Sequence, residues 1–218
     1  MTDTTDAAPA WPRNPWLSMW VRPRGTLRRI LDADPHRRVL LLAVLAGISE
    51  ALSRAEGRSL GDALSLSALL PLAALAGAIG GVVGIFFWGW LIGLTGRWIG
   101  GQARAFQLRC AVAWGAVPLV WGLLLYAIEL PLFGHEMFEG DMVRIESDPG
   151  LLLSYLGIKI VQVVIGVWSA VLIVRGVAEA QGFRSSWKGL GNVLLAGLIL
   201  LACISAVVIP IAVIIRIA

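Results

Sequence analysis

Charge is scarce in this chain, and a water-facing surface cannot be built without it. Asp, Glu, Lys and Arg make up 15% of the 218 residues, against about 25% in ordinary soluble domains. Histidine is rarer still, with only His36 and His135, and cysteine is limited to Cys110 and Cys203. The chain also lacks a phosphate-binding loop, a Cys-x-x-Cys pair and a nucleophile elbow. These absences predict a protein that is not an enzyme and has no cofactor. Two cysteines, one at the mouth of an apolar run and one inside another, make no disulfide or zinc framework and are expected as inert packing residues. Strict apolar–polar alternation is missing as well, which excludes a transmembrane barrel.

Hydrophobicity in long runs is what the chain has instead: 58% of its residues are hydrophobic, with a mean hydropathy of +0.80. Runs near 20 residues match a hydrocarbon core of about 30 Å at about 1.5 Å per helical residue. A backbone in lipid must satisfy its own hydrogen bonds, so each run is expected to be a helix. The expected fold is therefore all-α: five transmembrane helices over residues 39–55, 66–96, 108–131, 151–174 and 190–215. About 38 mostly polar residues precede the first run and no small-x-small site follows it, so a cleaved signal peptide is not expected. The division is a disordered tail over 1–13, an interfacial segment over 14–38 and a five-helix domain over 39–218.

The pI near 9.7 does not point to nucleic acid, because the basic residues flank the apolar runs. Thirteen lie on one side: Arg13, Arg22, Arg24, Arg28, Arg29, Arg37 and Arg38 in the N-terminal segment, Arg97, Arg104 and Arg109 after the second run, and Arg175, Arg184 and Lys188 after the fourth. Arg54, Arg58, Arg144 and Arg216 lie on the other, and Lys159 is inside the membrane. Lys and Arg accumulate on cytoplasmic loops. The N-terminus is therefore expected in the cytoplasm and the C-terminus outside.

Residues 14–39 read NPWLSMWVRPRGTLRRILDADPHRRV. Asn14-Pro15 is a helix start, Arg22-Pro23 restarts the helix, and Asp34-Pro35 turns the chain toward the first span. Leu27, Ile30 and Leu31 share a face while Arg24, Arg28 and Arg29 lie largely on the other. With Trp16 and Trp20 this predicts helices lying in the membrane interface, anchored on anionic lipid at about 1 kcal/mol per Arg. The sharper alternative is a docking platform for a cytoplasmic partner.

This stretch resembles the N-terminal signature of the bacterial branch of the Yip family, five-span membrane proteins that interact with Ypt/Rab GTPases. GISEALSRAEGRSLGD at 47–62, GRWIGGQARAFQLRCAVAWGAVPLVWGLLL at 96–125 and GVAEAQGFRSSWKGL at 176–190 extend the resemblance to nearly the whole chain. It implies an N-in, C-out five-helix domain in a bacterial inner membrane. In eukaryotes it implies vesicle traffic through Rab-type GTPases and binding of other family members. The implied activity is that of a membrane adaptor or organiser binding other membrane proteins or lipids. The long cytoplasmic domain of eukaryotic relatives is reduced here to about forty residues.

Charges inside the runs are costly and are usually paired or functional. Glu50 lies roughly 16 Å past Val39, and Lys159 roughly 12 Å from the opposite boundary at Leu151. In a core of about 30 Å the two depths agree, which predicts a Glu50–Lys159 pair, with Glu129 as rival partner nearer the outer rim. Tyr155, Lys159, Gln162, Gly166 and Ser169 recur at helical spacing as one polar stripe, expected to face protein or water. The pair would be a structural tie that fixes helix order, a small polar cavity passing an ion, proton or lipid headgroup, or a contact opened by partner binding.

In the second run Gly77/Gly81, Gly80/Gly84 and Gly89/Gly93 are spaced four apart, as in closely packed helices. They would serve internal packing or a seam between copies. Trp98, Trp114 and Trp187 are expected at the cytoplasmic interface. His135, Glu136 and Glu139, in an acidic outer loop, form a weak candidate for a hard divalent ion, but no metal is expected.

Overall fold

The computed structural model describes residues 11–217, with side chains through Ala206 and at Val208. The expected disordered tail thus falls, for residues 1–10, outside the described residues. Every regular element among the described residues is a helix, with no strand. Two short helices, α1 (Pro15–Val21) and α2 (Pro23–Ala33), come first, followed by α3 (Val39–Gly57) and α4 (Leu66–Trp98). Next come α5 (Ala105–Gly115), α6 (Val117–Phe133) and the short α7 (Val143–Ser147), then α8 (Pro149–Ala180) and α9 (Ser186–Ile217).

Local chemistry sets the boundaries. Asn14 caps α1 through its side-chain oxygen, which accepts from the Leu17 N–H, and Pro15 and Pro23 each occupy a first helical position where the missing N–H is harmless. The expected third span is broken into α5 and α6 at Ala116, just before Pro118. Proline has no N–H to continue the ladder. The Ser169 hydroxyl of α8 donates to the Gly115 carbonyl at this break (3.0 Å), so the interruption is satisfied from a neighbouring helix.

Among the described residues, four stretches are long and apolar enough to cross a membrane: Leu66–Trp98, Ala105–Phe138, Pro149–Ala180 and Ser186–Ala206. Their outward faces are apolar stripes at helical spacing. On α4 the stripe is Leu72, Leu75, Ile79, Val83, Phe86 and Trp90; on α8 it is Leu153, Leu156, Ile160, Val163 and Val167; on α9 it is Leu194, Leu198, Leu201 and Ile204. Water does not tolerate this much contiguous apolar surface, whereas lipid does. The interior, conversely, holds Thr95, Glu129, Ser169, Gln181 and Asn192. α3 differs from the four, because Glu50, Arg54 and Glu56 fall within its 19 residues.

Glycine sets the closest approaches. A Cβ on Gly77 would lie 2.6 Å from the Gly47 carbonyl oxygen and 2.7 Å from Ile48 Cα, so α3 and α4 touch backbone to backbone. Gly115 of α5 abuts Ile173 of α8, and Gly189 of α9 abuts Val174 and Ala178 of α8. α6 packs between α3 and α8, and α2 lies across α5 and α8.

Candidate functional site

Lys159 sits on α8 where α3 and α6 converge. Its Nζ is 2.6 Å from Glu56 Oε1 and 2.8 Å from Glu129 Oε1, and it donates to Gln162 Oε1 at 2.9 Å. Gln162 in turn donates to Glu129 Oε2 (2.8 Å), and the Tyr155 hydroxyl donates to Glu56 Oε1 (2.8 Å). The ammonium also lies over the Tyr155 ring, 5.0 Å from its centroid. Glu129 is fully buried, with 0% exposure. Three helices thus share a closed network with two carboxylates and one ammonium.

The expected Glu50–Lys159 pair is corrected by this arrangement. Glu50 pairs with Arg54 on its own helix (3.0 Å) and is half exposed. Two effects displace it. Six residues of α-helix rotate through 600°, so Glu56 and Glu50 point to different sides of α3. Side chains also lean toward the N-terminus of their helix. α3 and α8 are antiparallel, so Lys159 leans toward Glu56 and Glu50 leans away from it. The rival, Glu129, is a partner in fact.

The polar stripe of α8 runs along the same interface. Tyr155, Lys159 and Gln162 are in the network, Gly166 borders an adjoining cavity, and Ser169 binds Gly115 at the break. That cavity, about 160 Å³, is lined by Ser49, Glu50, Ser53, Tyr126, Gln162 and Gly166. It reaches the flank of the network, at Gln162, and Lys159 does not line it.

A second polar cluster lies at the end of the bundle that carries α1 and α2. The buried Gln181 side chain accepts from the Ala103 N–H (3.1 Å) and donates to the Ile92 carbonyl (3.3 Å). The Thr95 hydroxyl donates to Asn192 Oδ1 (2.7 Å). Gly96 and Gly101 make room, since a Cβ on either would strike the Gln181 amide. Neither Glu56 nor Gln181 stood out in the sequence, although both lie within the motifs at 47–62 and 176–190. For Gln181, between Ala180 and Gly182 and close to Arg175 and Glu179, the sequence carried no distinguishing signal. For Glu56 the available signal was the i, i+7 spacing from Ser49 through Ser53.

The N-terminal helices rest on protein. Met19, Leu27 and Ile30 are fully buried against α5 and α8, and Trp16 meets the buried Trp114 edge to face at 5.9 Å. Trp16 and Trp20 are partly buried. The face expected to enter lipid is therefore occupied by the bundle, because Gly176, Ala111 and Trp114 form a matching apolar shelf. Arg24 and Arg28 reach Glu179 of α8 at 4.0 and 3.7 Å, and Arg24 donates to Ser186 Oγ at 3.2 Å. Arg29 turns back to the Gly25 carbonyl (3.2 Å). Trp114, expected at the membrane interface, is a core residue, whereas Trp98 and Trp187 are exposed.

The glycine pairs divide. Gly77 and Gly81 meet α3, Gly89 meets Arg109, and Gly93 meets Leu108; Gly80 and Gly84 face open space. In the outer loop, His135 pairs with Glu139 through Nδ1 (2.9 Å) and meets the Leu64 carbonyl through Nε2 (2.8 Å), while Glu136 binds Arg144. These side chains are spent on different partners, and no metal-ligating group of three or more exists among the described residues. Cys110 is buried, Cys203 is exposed, and both are free.

Apolar stripes outside and polar clusters inside define a multi-pass helical membrane protein. The chain matches the family model of the Yip1 domain over residues 17–208, which takes in both polar clusters, all of α2 and α1 from Leu17 onward, and it belongs to that family. No curated protein and no solved structure matches it.

Proposed function

We propose that this protein is a non-enzymatic membrane organiser that works by binding other membrane proteins or lipids. The observation that supports this most directly is the closure of the Lys159 network. Its donors are directed to Glu56, Glu129 and Gln162 within the chain. A group so engaged is suited to holding three helices in register and poorly suited to exchanging a solute. In this reading α3 is the fifth span, its charges answered by the network and by Arg54. α1 and α2 lie along the cytoplasmic face, docked on the bundle and presenting Arg22, Arg29, Arg37 and Arg38 to anionic headgroups or a partner. The setting is a bacterial inner membrane.

The cavity beside Gln162 favours a second reading, in which protons, ions or a lipid headgroup pass by way of that flank. Two experiments separate the readings. Mild-detergent co-purification from native membranes, followed by identification of what accompanies the chain, is expected to return stoichiometric membrane proteins. Reconstituted vesicles are expected to show no proton or ion flux. A flux that disappears in Lys159→Met vesicles would reverse the choice. For topology, a reporter fused after Ala218 is expected outside the cell and one at Gly101 inside, and both on one side would mean a miscount among the spans between them. A reporter at the N-terminus is expected inside with Gly101, and finding it on the opposite side from Gly101 would remove α3 from the spans.

A further inference from the structure

A cleft of about 500 Å³ opens between α8 and α9 at the end of the bundle that carries α1 and α2. Its wall on α8 is Val167, Ala170, Val171 and Val174, one helical stripe, and Leu190 of α9 faces it. At the mouth stand Arg175 and Trp187, both exposed. The chemistry is therefore graded: aliphatic along its length, cationic and aromatic at one end.

The charge at that end has no counterion. Arg175 makes no ion pair among the described residues. The nearest carboxylate along α8, Glu179, is engaged by Arg24 and Arg28. Arg184 and Lys188 in the same turn add positive charge without adding a carboxylate. Basic pockets between membrane helices receive anionic headgroups, and an arginine binds a phosphate through two parallel N–H donors. Trp187 is placed as headgroup-level tryptophans are. A second copy of the chain fits less well. Two-fold pairing through this face would set Arg175 against the same basic end of the other copy, with no carboxylate to answer it.

We infer that the α8–α9 cleft is a binding site for one anionic phospholipid, with its phosphate on Arg175 beside Trp187 and an acyl chain along Val174, Val171 and Val167. The inference deepens the organiser reading, on which it rests, by naming a lipid class and a place for it. It does not require α3 to cross the membrane.

The test uses the full chain, purified in a neutral mild detergent, stripped of lipid and titrated with phosphatidylglycerol or phosphatidylcholine. Retained lipid is read by native mass spectrometry, and the melting temperature is followed in parallel. The expected result is retention of one phosphatidylglycerol, with a rise in melting temperature that phosphatidylcholine does not reproduce. Arg175→Gln should weaken retention about fivefold, Arg175→Lys should keep most of it, and Arg58→Gln at the opposite end should change nothing. Val171→Trp should fill the cleft and abolish retention. Val167→Trp, at the exposed edge, serves the same purpose if Val171→Trp does not fold. Equal retention of the two lipids would overturn the site, as would undiminished retention in Arg175→Gln or in a folded tryptophan variant. Equal stabilisation by soluble glycerophosphoglycerol would also overturn it, since the apolar wall would then contribute nothing. A Val167→Cys chain, with Cys203→Ser to remove the exposed native thiol, that cross-links to its own copy in membranes would assign the cleft to a dimer instead. Protein partners that still co-purify while phosphatidylglycerol is not retained would remove the lipid site and leave the organiser reading intact.

Discussion

The two polar clusters solve one problem by different chemistry. Around Gln181, a neutral amide ties the Ala103 N–H, just before α5, to the Ile92 carbonyl within α4, and the Thr95 hydroxyl ties α4 to Asn192 of α9. Around Lys159, ionised side chains bind each other across α3, α6 and α8. The neutral cluster tolerates the loss of a member at the cost of an unsatisfied backbone group, about 1–3 kcal/mol. The ionic one does not, because removing one partner leaves a buried charge, at about 3–5 kcal/mol. Helix register at the far end of the bundle therefore depends on a few atoms, whereas the end carrying α1 and α2 has its ties spread over many.

The largest effect should come from Lys159→Met, which strands Glu56 and Glu129 together. The melting temperature in detergent is expected to fall by an amount equivalent to about 3–5 kcal/mol. Adding Glu129→Leu should recover a substantial part of the loss, and adding Glu50→Leu should not. A wild-type melting temperature for Lys159→Met, or recovery with Glu50→Leu in place of Glu129→Leu, would break the contrast between the clusters.

That double-mutant pattern depends on a detail which the sequence showed only in part. Long runs, lone intramembrane charges and the polar stripe of α8 were all visible as pattern, because hydropathy and a 3.6-residue period are local properties. The identity of the acid was not, since it depends on how far α3 continues past Ala55 and on how antiparallel helices tilt their side chains. Ending the first span at residue 55 excluded Glu56 by one position. The N-terminal helices illustrate a related ambiguity. An apolar face such as Leu27 and Ile30 is the same in sequence whether lipid or a protein shelf covers it. Only the juxtaposition with Trp114 and Gly176 decides between them.

Intermediate effects should come from the neutral end and from the α3–α4 contact. Gln181→Leu would leave the Ala103 N–H without its acceptor and is expected to cost about 1–3 kcal/mol. Amide hydrogen exchange should rise at residues 101–104 while the exchange at Lys159 is unchanged. Protection lost throughout the bundle would mean that the two ends are not independent. Gly77→Ala is expected to cost a similar 1–3 kcal/mol, because its methyl would meet the Gly47 carbonyl and Ile48 Cα, which are backbone and cannot rotate away.

The smallest effect has the opposite sign, and it tests whether the outer face of α4 has a use of its own. Gly80 lies three residues beyond Gly77 on the same helix, but a Cβ there meets nothing within 4 Å. In an isolated chain Gly80→Ala should therefore gain the helix propensity that glycine forfeits, about 0.5–1 kcal/mol, seen as a slightly higher melting temperature in detergent. Gly84→Ala should behave alike, since its surroundings are equally open. In native membranes the outcome carries more information. If the Gly80–Gly84 surface receives another helix, a larger residue should weaken that association even as it stabilises the monomer. Gly80→Leu would then lower the yield of co-purified partners while its melting temperature stays at or above wild type. Unchanged co-purification in Gly80→Leu would leave this face to lipid and direct the search for a partner to the docked N-terminal helices.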